Sequence, residues 1–233
     1  MSDRWRIEER VGSAGDLHAS WPSVERAPAV RAVARCRPVD RALVLGSTQA
    51  PEVVAPGGGG LDVVRRRSGG GAVLVAPDDP VWIDVWVPAE DPLWTTDVTA
   101  AFGWLGDTWA ASLGRLGLTG VAVQGPAPGA CTRWSTLVCF GGLGAGEVTV
   151  DGRKVVGLAQ RRTRQGAWFH GACVVRWDPV PLLGVLALDA GERAAAAAGL
   201  AGAVCGVADA ADDQGAEVPS ADGVAATFLH LLP

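Results

Sequence analysis

Hydrophobic positions along this chain recur with two periods, and the short one governs its middle. Val148-Thr149-Val150 and Lys154-Val155-Val156 are β-branched runs separated by Asp151-Gly152, with Arg153 facing Val150. An Asp-Gly pair accepts positive φ at both central turn positions, which predicts a two-residue hairpin with Lys154 opposite Thr149. Arg41 to Gly46 is an apolar run ending in a Ser47-Thr48-Gln49 loop, and Val63 to Val75 is strand, glycine turn and strand. Val81-Trp82-Ile83-Asp84-Val85-Trp86-Val87 alternates over two faces, as a central strand does. Further strands are expected over Leu118–Val123, Thr136–Phe140 and Ala172–Val175, the last opened by His170-Gly171. The longer period places Val98, Phe102, Leu105, Trp109, Leu113 and Leu116 on one helical face between Asp97 and Leu116, with Thr96 or Asp97 as the cap. An Ala-rich helix over Glu192–Val207 and a last one near Thr227–Leu232 follow. Asp16 to Trp21 fits a short helix interrupted by Pro22.

The totals narrow this picture. A 233-residue chain with 48% hydrophobic and 19% charged residues folds around a sizeable core, most simply as one domain over 1–233. A net charge of −5 argues against a nucleic-acid partner. The five cysteines are odd in number and lack Cys-x-x-Cys spacing, so neither a disulfide framework nor a metal site is expected. The charged start does not resemble a signal peptide and no apolar run is long enough for a bilayer, which gives a cytoplasmic expectation with no membrane partner.

Candidate chemistry gathers in three stretches. Ser68-Gly69-Gly70-Gly71-Ala72 follows Arg65-Arg66-Arg67, and successive glycines let backbone N–H groups approach a phosphate or carboxylate beside a guanidinium fork. No Gly-Lys-Ser/Thr follows, so this is not a nucleotide P-loop. Lys154 on the hairpin can hold a cation against an anion. Cys139, followed by Phe140 and a Gly141–Gly146 loop, is either a buried small hydrophobe or a nucleophile. Arg161 to Gln165 is expected as an exposed basic connector, and the tryptophans as core.

Three of these stretches together resemble the lipoate–protein ligase and octanoyltransferase family of the biotin/lipoate ligase superfamily. They are Arg65-Arg66-Arg67-Ser68-Gly69-Gly70-Gly71-Ala72-Val73, Gly152-Arg153-Lys154-Val155-Val156-Gly157-Leu158-Ala159-Gln160, and His170-Gly171. The resemblance covers roughly residues 30–178 and implies an α+β domain, a mixed sheet packed with helices, with a helical part over 179–233. It implies attachment of a lipoyl or octanoyl group to the lysine of a lipoyl carrier domain, in 2-oxoacid dehydrogenase complexes or a glycine cleavage H-type protein. In the ligase form lipoate or octanoate reacts with ATP and Mg2+ to an acyl-adenylate. Lys154 would then stabilise developing charge. Arg66, Ser68, Gly69, Gly70, Gly71 and Ala72 would hold the adenylate, and Gly157, His170 and Gly171 would border the acyl pocket. Gly46 and Gln49 would stand at its edge.

Two departures matter. Val75-Ala76 stand where many relatives carry His-Asp, and the accessory C-terminal domain of many ligases is not expected within this length. Cys139-Phe140 resembles the acyl-accepting cysteine of one octanoyltransferase branch, which implies an alternative with acyl carrier protein as donor. Gly71 favours the ligase, because that branch often has Arg there. A third alternative is a binding protein without chemistry.

Overall fold

The computed structural model describes residues 5–20, 29–127 and 129–233. The predicted Trp21 and Pro22 end of the first helix lies outside them. Among the described residues ten strands and six α-helices follow one another as β1 Trp5–Gly12, α1 Ala14–Ala19, β2 Arg31–Pro38, β3 Ala42–Leu45, β4 Asp62–Arg65, β5 Val73–Val75 and β6 Val81–Pro88. Then come α2 Gly103–Arg115, β7 Val121–Val123, β8 Val148–Val150, β9 Arg153–Thr163, β10 Gly166–Cys173, α3 Pro179–Gly184, α4 Ala190–Ala201, α5 Val207–Gln214 and α6 Ala221–His230.

Seven strands form a mixed sheet in the order β1-β2-β6-β10-β9-β8-β7, with only β1 and β2 parallel, and β4-β3-β5 form a smaller sheet. This is the expected α+β architecture. The strand predicted as central is central, since β6 lies between β2 and β10 and Val81 to Val87 are all buried. One face of the large sheet carries Val33, Ile83, Val85, Val156 and Phe169 against Trp109, Leu105 and Leu113 of α2 and Val224 and Phe228 of α6. Trp109 and Phe228 meet with ring centroids 4.2 Å apart. Gly171 makes this packing possible: a Cβ there would stand 2.9 Å from the Trp109 indole nitrogen.

The small sheet also has two working faces. Leu43 and Leu45 pack with Leu182, Leu183 and Leu200 of the α3–α4 pair, whereas Ala42, Val44 and Val75 turn the other way, towards Ala14 of α1. The small sheet and α1 thereby cover the second face of the large sheet.

Several boundaries differ from the sequence expectation. Thr136–Phe140 is not a strand. Leu137 and Val138 both fold back onto the Trp134 carbonyl, and Cys139–Gly141 makes a short 3-10 turn. Gln49 takes the Thr136 and Leu137 carbonyls that a neighbouring strand would have used. Arg161 and Arg162 are not connector but the end of β9, paired with Trp168 and Ala167 of a β10 that begins at Gly166, so His170 lies inside its strand. Asp97 caps a turn rather than the long helix, accepting from the Thr99 and Ala100 amides, and α2 starts at Gly103. The Ala-rich helix stops at Ala201 because Ala203 and Cys205 bond the main chain of Lys154. β1 and β2 carry no clear expectation in the sequence, because β1 is a half-exposed edge strand rich in charge. No described helix is long and apolar enough to cross a membrane.

Candidate functional site

The predicted hairpin forms with the predicted register. Asp151 and Gly152 have φ of 49° and 78°, Val150 pairs with Arg153, and Thr149 pairs with Lys154. Register then places residues across the sheet. Gly157 of β9 pairs with Ala172 of β10, which pairs with Trp82 of β6, which pairs with Cys36 of β2. One step along, Ala159, His170, Asp84 and Ala34 form a second row. Because side chains alternate, both rows face the small sheet. Gly157, Ala159 and Ala172 contribute almost no side chain there, so the sheet has a shallow trough between bulkier neighbours.

Val44, Val73 and Val75 roof this trough, and with Arg66, Ser68, Cys139, Phe140, His18, Trp82 and His170 they enclose a cavity of ≈ 550 Å³ counting its open mouth. Its walls are chiefly apolar with few polar groups, as in small-molecule sites. Ser68 Oγ is buried in this wall without a hydrogen-bond partner among the described residues, a group that a ligand's polar atom would satisfy.

The glycine turn is built by close contact. The Ala72 amide donates to Leu137 O at 2.7 Å and the Cys139 amide to Ala72 O at 3.0 Å. A Cβ at Gly71 would fall 2.5 Å from the Val138 carbonyl carbon. Gly70 has φ 96°, a conformation suited to glycine. Arg66 is buried and holds the turn from within, donating Nη2 to Gly69 O at 2.6 Å and Gly71 O at 2.8 Å. The same Nη2 stands 3.7 Å from Cys139 Sγ, which puts the candidate nucleophile beside a permanent cation in the cavity wall. Gly69, Gly70, Gly71 and Ala72 shape the turn but do not line the cavity, and Gly46 and Gln49 brace it from outside. Gly171 lines it through its backbone only, its missing side chain serving the Trp109 contact.

Lys154 is only 3% exposed and is fully engaged. Its Nζ lies 2.6 Å from Glu147 Oε2 and donates to Gly142 O at 2.8 Å and Cys139 O at 3.2 Å. It sits 5.1 Å from the centroid of the Phe140 ring, which separates the amine from the cavity. Gly157 keeps this partition thin, since a Cβ there would meet Phe140 Cζ at 3.4 Å and Lys154 Cε at 3.5 Å. Glu147 was missed by sequence reasoning. A single acid after a glycine-rich loop gives no signal, yet it is buried and also accepts the Gly144 and Leu158 amides at 2.6 and 3.0 Å.

At the β6 side the cavity meets a buried polar cluster. His170 Nδ1 makes a short hydrogen bond to Asp84 Oδ1, and Trp82 Nε1 donates to the same oxygen at 2.6 Å. Burial alone would raise the Asp84 carboxyl, but the His170 contacts, the Trp82 hydrogen bond and His18 outweigh it and hold Asp84 below the usual range. An ionised Asp84 only accepts, so His170 presents N–H at Nδ1. Cys36, against the same carboxylate, has its thiol pushed well up, first by burial and then by Asp84. His18, from α1, lies 4.4 Å from Trp82 and 5.5 Å from His170, ring to ring. Burial and then His170 push its pKa down to about 3, so it is uncharged. Of this cluster the sequence reading reached His170; a carboxylate in the otherwise apolar Val81–Val87 run was the sign that could have found Asp84. Among the described residues no group of three His, Cys, Asp or Glu side chains is placed to hold a metal ion.

Comparison with known proteins agrees with this construction. The model of the lipoyl protein ligase A/B catalytic domain matches residues 26–229. No curated protein sequence matches the chain. A bi-partite lipoate protein ligase of Thermoplasma acidophilum, from a study that includes its E2 lipoyl domain, superposes with a TM-score of 0.68 at 22% identity over 97% of this chain and 82% of its own. A T. acidophilum protein with bound lipoic acid gives 0.68 at 20% identity, covering 99% and 84%. A lipoate-protein ligase A bound with ATP gives 0.67 at 21%, covering 99% and 84%. At such identities these structures share the fold.

Proposed function

We infer that this chain, which belongs to the lipoyl protein ligase A/B catalytic-domain family, attaches a lipoyl or octanoyl group to the lysine of a lipoyl carrier domain through an acyl-adenylate. The observation that carries the reading is the small-residue trough under an apolar roof, closed at one end by Ser68, Arg66 and Cys139 and separated from the Lys154 amine only by Phe140. An acyl chain lies along the trough. Its carboxylate oxygen attacks the α-phosphorus of ATP, pyrophosphate leaves, and the mixed anhydride forms. The carrier lysine then attacks the acyl carbon, AMP leaves with the bonding electrons, and the amine loses a proton to give the amide.

This chain's part is placement and charge. Ser68 Oγ meets a polar atom of the acyl phosphate, and Arg66 keeps the glycine turn in the shape that receives it. Lys154 supplies positive charge where oxygens become negative once the Phe140 ring and the Gly142 carbonyl give way to substrate. Magnesium would accompany the nucleotide phosphates, and no step is assigned to it. The bound ligands of the neighbours, lipoic acid in one and ATP in another, support this choice of substrates. The E2 lipoyl domain studied with a third supports the choice of acceptor.

A second reading rests on Cys139, whose sulfur lines the cavity 3.7 Å from Arg66 Nη2. There the thiolate takes an octanoyl group from acyl carrier protein, releasing that carrier's thiol, and passes it to the acceptor lysine. Weighing a purified lipoyl domain by mass spectrometry after incubation separates the two. A mass gain with lipoate and ATP–Mg2+ that survives Cys139→Ser supports the adenylate route. A gain only with octanoyl-acyl carrier protein, abolished by Cys139→Ser, replaces it with the transferase. No gain from either donor, with Lys154→Ala leaving cellular lipoylation unchanged, leaves a non-catalytic binding protein.

A further inference from the structure

The trough has chemically different ends. One borders Cys139, Ser68 and the Lys154 partition. The other, across β10, is Trp82 of β6 with His18 stacked on it and His170 beside it. From β9 to β6 is two inter-strand steps, about 10 Å, close to the length of an extended eight-carbon chain. An acyl group whose carboxyl faces Lys154 therefore sets its last carbons against His18 and Trp82.

Those two rings differ in what they can still offer. Trp82 Nε1 is committed to Asp84. His18 makes no hydrogen bond to any described residue, although it is held in place by ring contacts on two sides and by α1, whose Leu17 packs with Ala34, Cys36 and Trp82. Its imidazole is uncharged, so it presents one N–H donor, one nitrogen acceptor and a polarisable face to the ligand. A purely apolar end would have suited a saturated chain equally well. An uncommitted imidazole over an indole suits a chain ending in sulfur, which accepts a weak hydrogen bond and makes favourable contacts with aromatic rings.

We propose that His18, stacked on Trp82 at the trough end opposite Lys154, is a specificity-determining residue that selects a dithiolane-ended acyl chain over a saturated one of the same length. This rests on the acyl-carrying reading of the trough but not on the ATP route or on transfer. Sulfur–aromatic and weak hydrogen-bond terms of this kind correspond to about a fivefold preference.

The test is direct binding of lipoate and of octanoate to the purified protein by calorimetry, without nucleotide or carrier. The wild type is expected to hold lipoate about fivefold more tightly. His18→Leu, which keeps volume and removes the nitrogens, should bring the two affinities together by weakening lipoate alone. His18→Gln, which restores a donor and an acceptor, should keep part of the preference. Equal affinities in the wild type, an unchanged ratio in His18→Leu, or an equal loss for both acids would overturn the proposal. So would a ratio lost in His18→Gln as completely as in His18→Leu. Binding of neither acid would overturn it together with the acyl reading of the trough. Preferred lipoate binding without any carrier modification would sink the enzymatic reading and leave this one standing.

Discussion

Glu147 and Lys154 form the most consequential pair in the molecule, because each is a charge taken almost wholly out of water. Removing one partner of such a pair strands the other and costs about 3–5 kcal/mol. Glu147→Gln should therefore lower stability by that order in urea titration. The double substitution Glu147→Gln with Lys154→Met should recover much of it, and strict additivity of the two changes would refute the coupling. The glycines of the turn make a sharper contrast. A Cβ at Gly69 meets nothing within 4 Å, whereas at Gly71 it meets the Val138 backbone at 2.5 Å. Gly69→Ala should leave the melting temperature nearly unchanged, and Gly71→Ala should lower it by several degrees, about 2–4 °C per kcal/mol in a chain of this size. His18 adds a pH dependence with a definite sign. Its folded pKa of about 3 lies below the ordinary value of 6.5, so on acidification the unfolded chain takes up the proton first. Stability should fall as pH drops from 6.5 towards 3, by about 1.4 kcal/mol per pH unit at most. His18→Leu should flatten that slope in denaturant titrations between pH 6.5 and 4.5. An identical slope in the two proteins would show that the ring is not kept neutral by folding.

Elements were legible where their period was clean. β6, the β8–β9 hairpin and the strands around the glycine turn follow directly from alternation and turn chemistry. β1 and Thr136–Phe140 did not, for opposite reasons. β1 is an edge strand whose pairing with β2 comes from main-chain bonds rather than from a buried face. Thr136–Phe140 has strand-like residues, but Gln49 and the Ala72 backbone claim its polar groups, and Val138 and Phe140 reach the core from a bent path. α2 shows what an apolar stripe contributes when it meets a partner. Trp109 is completely buried between Gly171 and Phe228. Trp109→Ala should cost about 3–5 kcal/mol, read as a lower midpoint in denaturant. Because α2 lies on the face away from the trough, lipoate affinity at a temperature where the variant stays folded should be unchanged. A parallel loss of affinity would mean the two faces are coupled through β10.

The charge of the whole molecule bears on the carrier domain proposed as its acceptor. The chain is acidic overall, at −5, yet Arg161 and Arg164 are exposed at the β9–β10 end of the sheet, while Arg162 is engaged with Trp94. An acidic carrier domain would be drawn to that end by long-range attraction. Arg161→Glu with Arg164→Glu should raise KM for the carrier several-fold at low salt and little at high salt, leaving lipoate affinity alone. A salt-independent effect would point to a folding defect instead. What the sequence by itself determined was the class of the fold and the stretches that gather at the cavity, because turn residues, alternation and the Arg-Arg-x-Ser-Gly-Gly-Gly-Ala-Val, Gly-x-Lys and His-Gly segments act locally. Only the tertiary structure decided that Gly157, Ala159 and Ala172 form a trough, that Glu147 holds Lys154, that Gly171 serves Trp109, and that His18 meets Trp82 and His170 at the far end. Each of these depends on strand register and on contacts between residues far apart in sequence. Local pattern does not encode them, because a strand's period fixes which side chains share a face but not what lies across from them.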